Sequence, residues 1–261
     1  MTGLVRRFVT LASLLLAWQL IVWVTGVPGY ILPGPLSVAG AFATHAGTLA
    51  QHATVTIIEI LAGLLLGALL GFSSALSLSS FHTVRRWLLP VLVVSQALPV
   101  FALAPILMLW LGYGMVSKIA MAVLIIYFPV TAACFDGLRH TPNGWLELAA
   151  TMGASPRNLL RSVRLPAALP AAASGMRVAT AVAPIGAVVG EWVGSSAGLG
   201  YLMLHANGRM QIDLMFAALV TLAAFALALY FSVDHLLKHA LPWHRQTLLD
   251  NENEQEIPHD V

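Results

Sequence analysis

The sequence predicts an all-α polytopic membrane protein with six transmembrane helices and both termini in the cytoplasm, and three observations point there. The first is composition: of 261 residues, 59% are hydrophobic and 9% charged, against roughly 45–50% and about 25% in an average soluble protein. The second is a series of apolar segments near the ~20 residues that a helix needs to cross a bilayer. The third is the distribution of Lys and Arg, which favours one side of the resulting scheme. A mean hydropathy of +0.84 is more than a soluble domain of this size can hide from water. Five of the 11 acidic residues (Asp250, Glu252, Glu254, Glu256 and Asp260) lie in the last twelve positions. A soluble enzyme, a nucleic-acid binder and a disordered chain are thereby excluded. The net charge of +2 indicates no anionic partner, and the single cysteine, Cys134, has no partner for an intrachain disulfide.

The first span runs from Phe8 to about Val27, behind Arg6 and Arg7. It is too long for the apolar region of a signal peptide, and Thr25-Gly26-Val27-Pro28 is a poor cleavage site, so it reads as a retained anchor. The second lies within Val55 to Leu78, the third in Leu88 to Leu111, and the fourth from Ile119 to about Leu138. Residues 139–170 are amphipathic and carry several charges. A fifth span follows from about Ser174 to Val193, and a sixth from Leu214 to about Leu237. With the N-terminus inside, eleven of the 13 Lys and Arg residues fall at the cytoplasmic side, leaving Lys118 and Arg209 outside. An odd number of spans would split that pattern.

In the first outer loop, Pro35 suits the first turn of a short helix whose Leu36, Val38, Ala39 and Phe42 would lie along the interface. In the second span Gly63, Gly67 and Gly71 share one helix face, which serves either helix packing within the chain or a dimer seam. Pro99 and Pro105 in the third span and Pro184 in the fifth remove backbone donors; they mark either a translocation path or ordinary kinks. Glu59 and Glu191 are candidates for a gate or path because burying an acid in a membrane is costly, although both lie near the expected outer boundary, within reach of water. Arg177 is expected to snorkel to the cytoplasmic boundary. A transmembrane domain over residues 1–245 is thus followed by an acidic tail, 246–261, without fixed structure.

The segment Thr141 to Pro166 carries the most information. Thr141 can cap a helix with Pro142 at its first position; Gly153 supplies the left-handed residue that ends it; and Ser155-Pro156 repeats the start signal. A second short helix is expected to end near Val163, with Pro166 blocking continuation. Two short helices at an angle make a docking element, with Leu148, Met152, Leu159 and Leu160 as apolar contacts and Arg157 and Arg161 on the polar side.

This segment resembles the EAA loop of binding-protein-dependent ABC transporter permeases: Glu-Ala-Ala, three residues, Gly, nine residues, Ile, one residue, Leu-Pro. Glu147, Ala149, Gly153, Leu165 and Pro166 match in register, Val163 replaces the Ile, and Leu148 departs from the first Ala. Leu32-Pro33-Gly34-Pro35, Leu98-Pro99 through Gly112-Tyr113-Gly114, and Gly198-Leu199-Gly200-Tyr201 are similar to the nitrate, sulfonate and taurine subgroup. The resemblance implies a MetI-like permease fold in the inner membrane, a pair of permeases (expected here to be a homodimer), a pair of separate ATPase subunits and a periplasmic solute-binding protein. It implies further that the loop couples to the ATPase through Glu147, Ala149, Gly153, Val163, Leu165 and Pro166. ATP and Mg would then sit on the partner, with no cofactor on this chain; in keeping with that, the sequence has no glycine-rich phosphate loop ending in Lys-Ser/Thr. Gly190 to Asn207 with Arg209 to Asp213 is similar to permeases for thiamine-precursor pyrimidines and riboflavin, which favours such a pyrimidine over a sulfonate, taurine or nitrate.

Two other classes stand beside this reading. A membrane enzyme would need a site, and His235, His239 and His244 offer helical spacing but no acidic or cysteine ligand beside them. An ion-coupled secondary transporter would need acids deep in the bilayer and two similar halves, neither of which is evident.

Overall fold

The computed structural model describes residues 3–243. The expected acidic tail, 246–261, lies outside the described residues, as do His244 and Arg245. The described chain is built of helices: α1 (Gly3–Thr25), α2 (Pro35–Thr44), α3 (Ala46–Ser80), α4 (His82–Ala97), α5 (Val100–Leu111), α6 (Met115–Arg139), α7 (Asn143–Thr151), α8 (Pro156–Leu159), a π-helical turn (Leu160–Arg164), α9 (Leu165–Gly194), α10 (Leu199–Gly208) and α11 (Ile212–Ala240).

Among the described residues, five helical stretches are long and apolar enough to cross a membrane: Phe8–Thr25, Ala46–Ser80, Met115–Arg139, Pro156–Gly194 and Ile212–Ala240. The sixth is a broken pair. The expected third span, Leu88 to Leu111, is not one helix; α4 and α5 meet at 107°. Pro99 causes the break: it has no N–H to continue α4, and it drives the residue before it out of the helical region. Leu98 is accordingly extended, at φ −82° and ψ 124°.

The fifth span also differs from expectation. Pro166 does not stop the second hairpin helix; the chain stays helical from Pro156 to Gly194. A π-turn makes this possible. Leu165 N–H reaches back five residues to Leu160 O, and this wider turn accommodates the proline at the start of α9.

Helix α6 is the centre of the bundle, against α3 on one side and α9 on the other. A Cβ added to Gly63 would stand 2.5 Å from Ala122 Cβ, one on Gly67 2.7 Å from Ile126 Cγ2, and one on Gly71 2.9 Å from Val130 Cβ. The three glycines therefore face α6 of their own chain. On the other side of α6, Gly175 lies against Ala133 and the Pro129 carbonyl, and Gly186 against the Ala122 backbone. Lipid tails give no hydrophobic drive for helix association, so close backbone approach supplies the contact through dispersion.

The remaining helices dress this core. Gly34 precedes α2, and Pro35 occupies its first turn. Its Val38 and Ala41 are buried with Leu214 and Ala217 of α11, so α2 turns one face inward rather than lying flat along the interface, while Leu36 and Ala39 remain exposed. Arg177 does not simply snorkel: its Nε donates to Asp234 Oδ1 of α11 at 2.7 Å, and Lys238 Nζ lies 2.7 Å from Asp234 Oδ2. The α1 span touches the bundle through Trp18, which stacks on Phe216 of α11, and is otherwise largely exposed and apolar, a surface suited to lipid.

Gly63→Ala should lower the stability of the detergent-solubilised protein by about 1–3 kcal/mol through overpacking. Ala122→Gly in the same chain should restore most of the loss in a thermal melt. An unaffected single variant would contradict the α3–α6 contact.

Candidate functional site

The two ends of the central bundle carry different chemistry. At the end formed by the C-terminus of α6 and the N-terminus of α9 sits the hairpin. Thr141 does not cap it: the side chain is buried and Oγ1 donates to Leu138 O at 3.4 Å, while Pro142 precedes α7. The bend after α7 follows from glycine. Gly153 has φ +76°, its N–H bonds to Ala150 O at 3.0 Å, and Ala154 N–H bonds to Ala149 O at 3.0 Å, the paired bonds of a Schellman motif. Ser155 Oγ then accepts from Asn158 N–H at 3.3 Å to start α8.

The base of the hairpin is anchored and its tip is bare. Leu160 and Leu165 pack on a buried cluster of Ala75, Leu78, Cys134, Phe135, Leu138 and Ala168. Leu148 is 62% exposed and Met152 78%. With Trp145, Val163, Pro166 and Trp243 they border a hollow of about 880 Å³. Glu147 is exposed and makes no ion pair among the described residues, and Ala149 lines the same hollow. Of the hairpin positions singled out from sequence, the fold brings together Ala149, Val163 and Pro166 around this hollow. It places Leu165 at the base and Glu147 on the outer surface.

The opposite end holds a buried polar knot. Glu59 of α3 and Glu191 of α9, expected within reach of water, are 0% and 1% exposed. Lys118, expected in an outer loop, is 5% exposed on α6. Its ammonium pairs with Glu59 and donates to Ser195 Oγ at 3.0 Å. Glu191 Oε1 accepts from Thr56 Oγ1 at 2.6 Å, and Oε2 from Gly200 N–H. Opposite charges and donors resolve the cost of burial that loop water was expected to resolve. The sequence reading missed Lys118, Thr56, His52 and Ser195 as members of this knot. Thr56 and Glu59 share a helix face at i, i+3, a polar pair inside an apolar span that signals a buried partner.

The three prolines do not meet. Pro99 and Pro105 are exposed on the broken pair and Pro184 is buried in α9. His235 and His239 lie ring to ring on α11 with centroids 4.2 Å apart, and no group of three metal-ligating side chains occurs among the described residues.

Residues 63–245 match the family model described as the binding-protein-dependent transport system inner membrane component. The chain belongs to that family. It is 60% identical over 240 residues to a probable ABC transporter permease protein of Haemophilus influenzae, covering 92% of this chain and 98% of that one. It is 39% identical to the riboflavin transport system permease protein of Chloroflexus aurantiacus, over 90% of this chain and 88% of the relative. Similarity to the formylaminopyrimidine transport permease protein of Halalkalibacterium halodurans is 36%, over 89% and 93%. In fold it matches an amino acid ABC transporter chain at TM-score 0.60 and 16% identity, covering 78% of this chain and 97% of that one. A chain of the MetNI methionine ABC transporter matches at TM-score 0.58 and 20% identity, over 70% and 93%. This permease is therefore a multi-pass inner-membrane transport subunit of an ABC importer with a MetI-like fold, and its family implies an ATPase and a binding protein as partners.

Lys118→Met leaves Glu59 buried without its cation and should destabilise the permease by about 3–5 kcal/mol. Replacing both, Lys118→Met with Glu59→Leu, should recover most of the melting temperature in detergent. Equal loss in single and double variants would contradict the pairing.

Proposed function

We propose that the hairpin of residues 139–170 is the handle by which a separate ATPase pair drives this permease. The observation that carries the reading is the bare apolar tip. Trp145, Leu148 and Met152 are exposed on a segment that leaves the bundle between α6 and α9, and an exposed apolar patch in water is a protein-contact signature. Gly153 sets the angle of that patch, and Val163, Leu165 and Pro166 join it to α9. Residues 1–245 form the transport unit, the hairpin and both termini face the cytoplasm, and two copies enclose the path. ATP and Mg bind the partner. Closure of the ATPases displaces the hairpins and opens the path alternately to either side, each state holding its own set of contacts.

The solute we favour is a thiamine-precursor pyrimidine handed over by the binding protein. Similarity to permeases named for riboflavin and formylaminopyrimidine, at 39% and 36%, exceeds the 28% to the taurine permease of Escherichia coli, which supports a planar nitrogen heterocycle over a sulfonate. With labelled formylaminopyrimidine and the full transporter in proteoliposomes, uptake should require ATP inside the ATPase compartment. Uptake of taurine instead would give the sulfonate reading.

Gly153→Val should abolish co-purification with the ATPase while the permease still inserts, because a β-branched residue at φ +76° costs about 1–2 kcal/mol or more in the bend itself. No atom crowds this position, so Gly153→Asn, which tolerates the left-handed region, should retain the ATPase. Normal co-purification of the valine variant would overturn the assignment.

A further inference from the structure

The start of α10 is held by other helices rather than by its own sequence. The first N–H groups of a helix have no partner within it, and α10 has no local side-chain cap. Instead Gly198 N–H donates to His52 Nδ1 of α3 at 3.0 Å, Leu199 N–H to Thr56 Oγ1 of α3 at 2.7 Å, and Gly200 N–H to Glu191 Oε2 of α9. The Thr56 hydroxyl itself donates to Glu191 Oε1, so one carboxylate stands behind two of the three bonds. Fit is tight: a Cβ on Gly198, at φ +118°, would overlap the Glu191 carboxyl, and one on Gly200 would stand 2.8 Å from Oε2. Beside it Lys118 of α6 joins Glu59 of α3 to Ser195. Four helices thus meet in one knot, with Thr56, Glu59 and Glu191 buried at its centre.

That knot stands at the far end from the hairpin. Lys118 lies 21 residues before the end of α6 and Glu191 26 residues after the start of α9, or roughly 30–40 Å of helix. Between the two ends α6 packs closely on the glycines of its neighbours, through the Ala122 and Ile126 side chains at Gly63 and Gly67 and through its own backbone at Gly175 and Gly186, which leaves little room for sliding.

We propose that Thr56 and Glu191 are positioning residues for transport: their clasp makes α10 part of the α3–α6–α9 body, so that displacement of the hairpin reaches the opposite face of the permease as motion of α10. The inference rests on the hairpin–ATPase reading above. Neither residue touches solute in this account.

The test is hydrogen exchange on the complete permease–ATPase complex in nanodiscs, with ATP plus vanadate as the probe. In the unaltered complex, nucleotide should change exchange in peptides covering 143–159 and 199–208 together. Thr56→Val keeps the shape but removes the hydroxyl, and Glu191→Gln turns an amide donor toward one of two donors. Each should speed exchange at Leu199 and Gly200 about tenfold or more without nucleotide, retain the hairpin response, and lose the response at 199–208. A nucleotide response at 199–208 equal to that of the unaltered complex would overturn the proposal. So would failure of both variants to assemble, since the contacts would then serve folding alone. If the unaltered permease bound no ATPase, the fault would lie with the hairpin reading instead.

Discussion

Backbone contact along α6 is the constraint on which the other features depend. In lipid, apolar side chains gain nothing by leaving one apolar phase for another, so helices are held by the fit of their surfaces. Gly63, Gly67 and Gly71 bring α3 onto Ala122, Ile126 and Val130, and Gly175 and Gly186 bring α9 onto Ala133 and Ala122. Ala122 lies between both neighbours, its methyl toward Gly63 and its backbone toward Gly186, so a single residue sets two helix separations. Three long helices locked in this way present a fixed frame, and the chemistry resides at its two ends.

Each end solves a different desolvation problem. At the hairpin, Gly153 and Ser155 satisfy backbone groups locally, which frees Trp145, Leu148 and Met152 to face outward as a bare surface. At the other end the buried groups are ionic, and an unpaired carboxylate there would be prohibitive. Lys118, Thr56 and the N–H of Gly200 supply the balance. The broken α4–α5 pair packs one face on this frame through Leu92 and Ala104, leaves Val91, Val93, Phe101 and Leu109 exposed, and bends where Pro99 interrupts the backbone.

What was legible in the sequence followed from local sterics and from length. Gly153 had to be left-handed for the hairpin to turn, Pro35 had to begin a helix, and the apolar runs around α3, α6 and α11 were too long for anything but spans. Failures came where distant groups decide. Hydropathy averages across Leu98-Pro99 and so does not register a 107° break. The rule that proline ends a helix gave way at Pro166 to a π-turn supported by α6 and α9. Depth along the chain says nothing of Glu59, Glu191 and Lys118, whose burial is settled by partners on other helices. Arg177 was likewise read alone, and its partner Asp234 lies 57 residues away.

One frame of α3, α6 and α9 holds the hairpin and the polar knot at opposite ends, which in the proposed transporter are opposite faces of the membrane. Single cysteines at Leu148 and His205, both exposed, report this directly, because the native Cys134 is buried. With a membrane-impermeant maleimide, His205→Cys should label in spheroplasts and Leu148→Cys only in inside-out vesicles. Labelling of both from the same side would contradict the account.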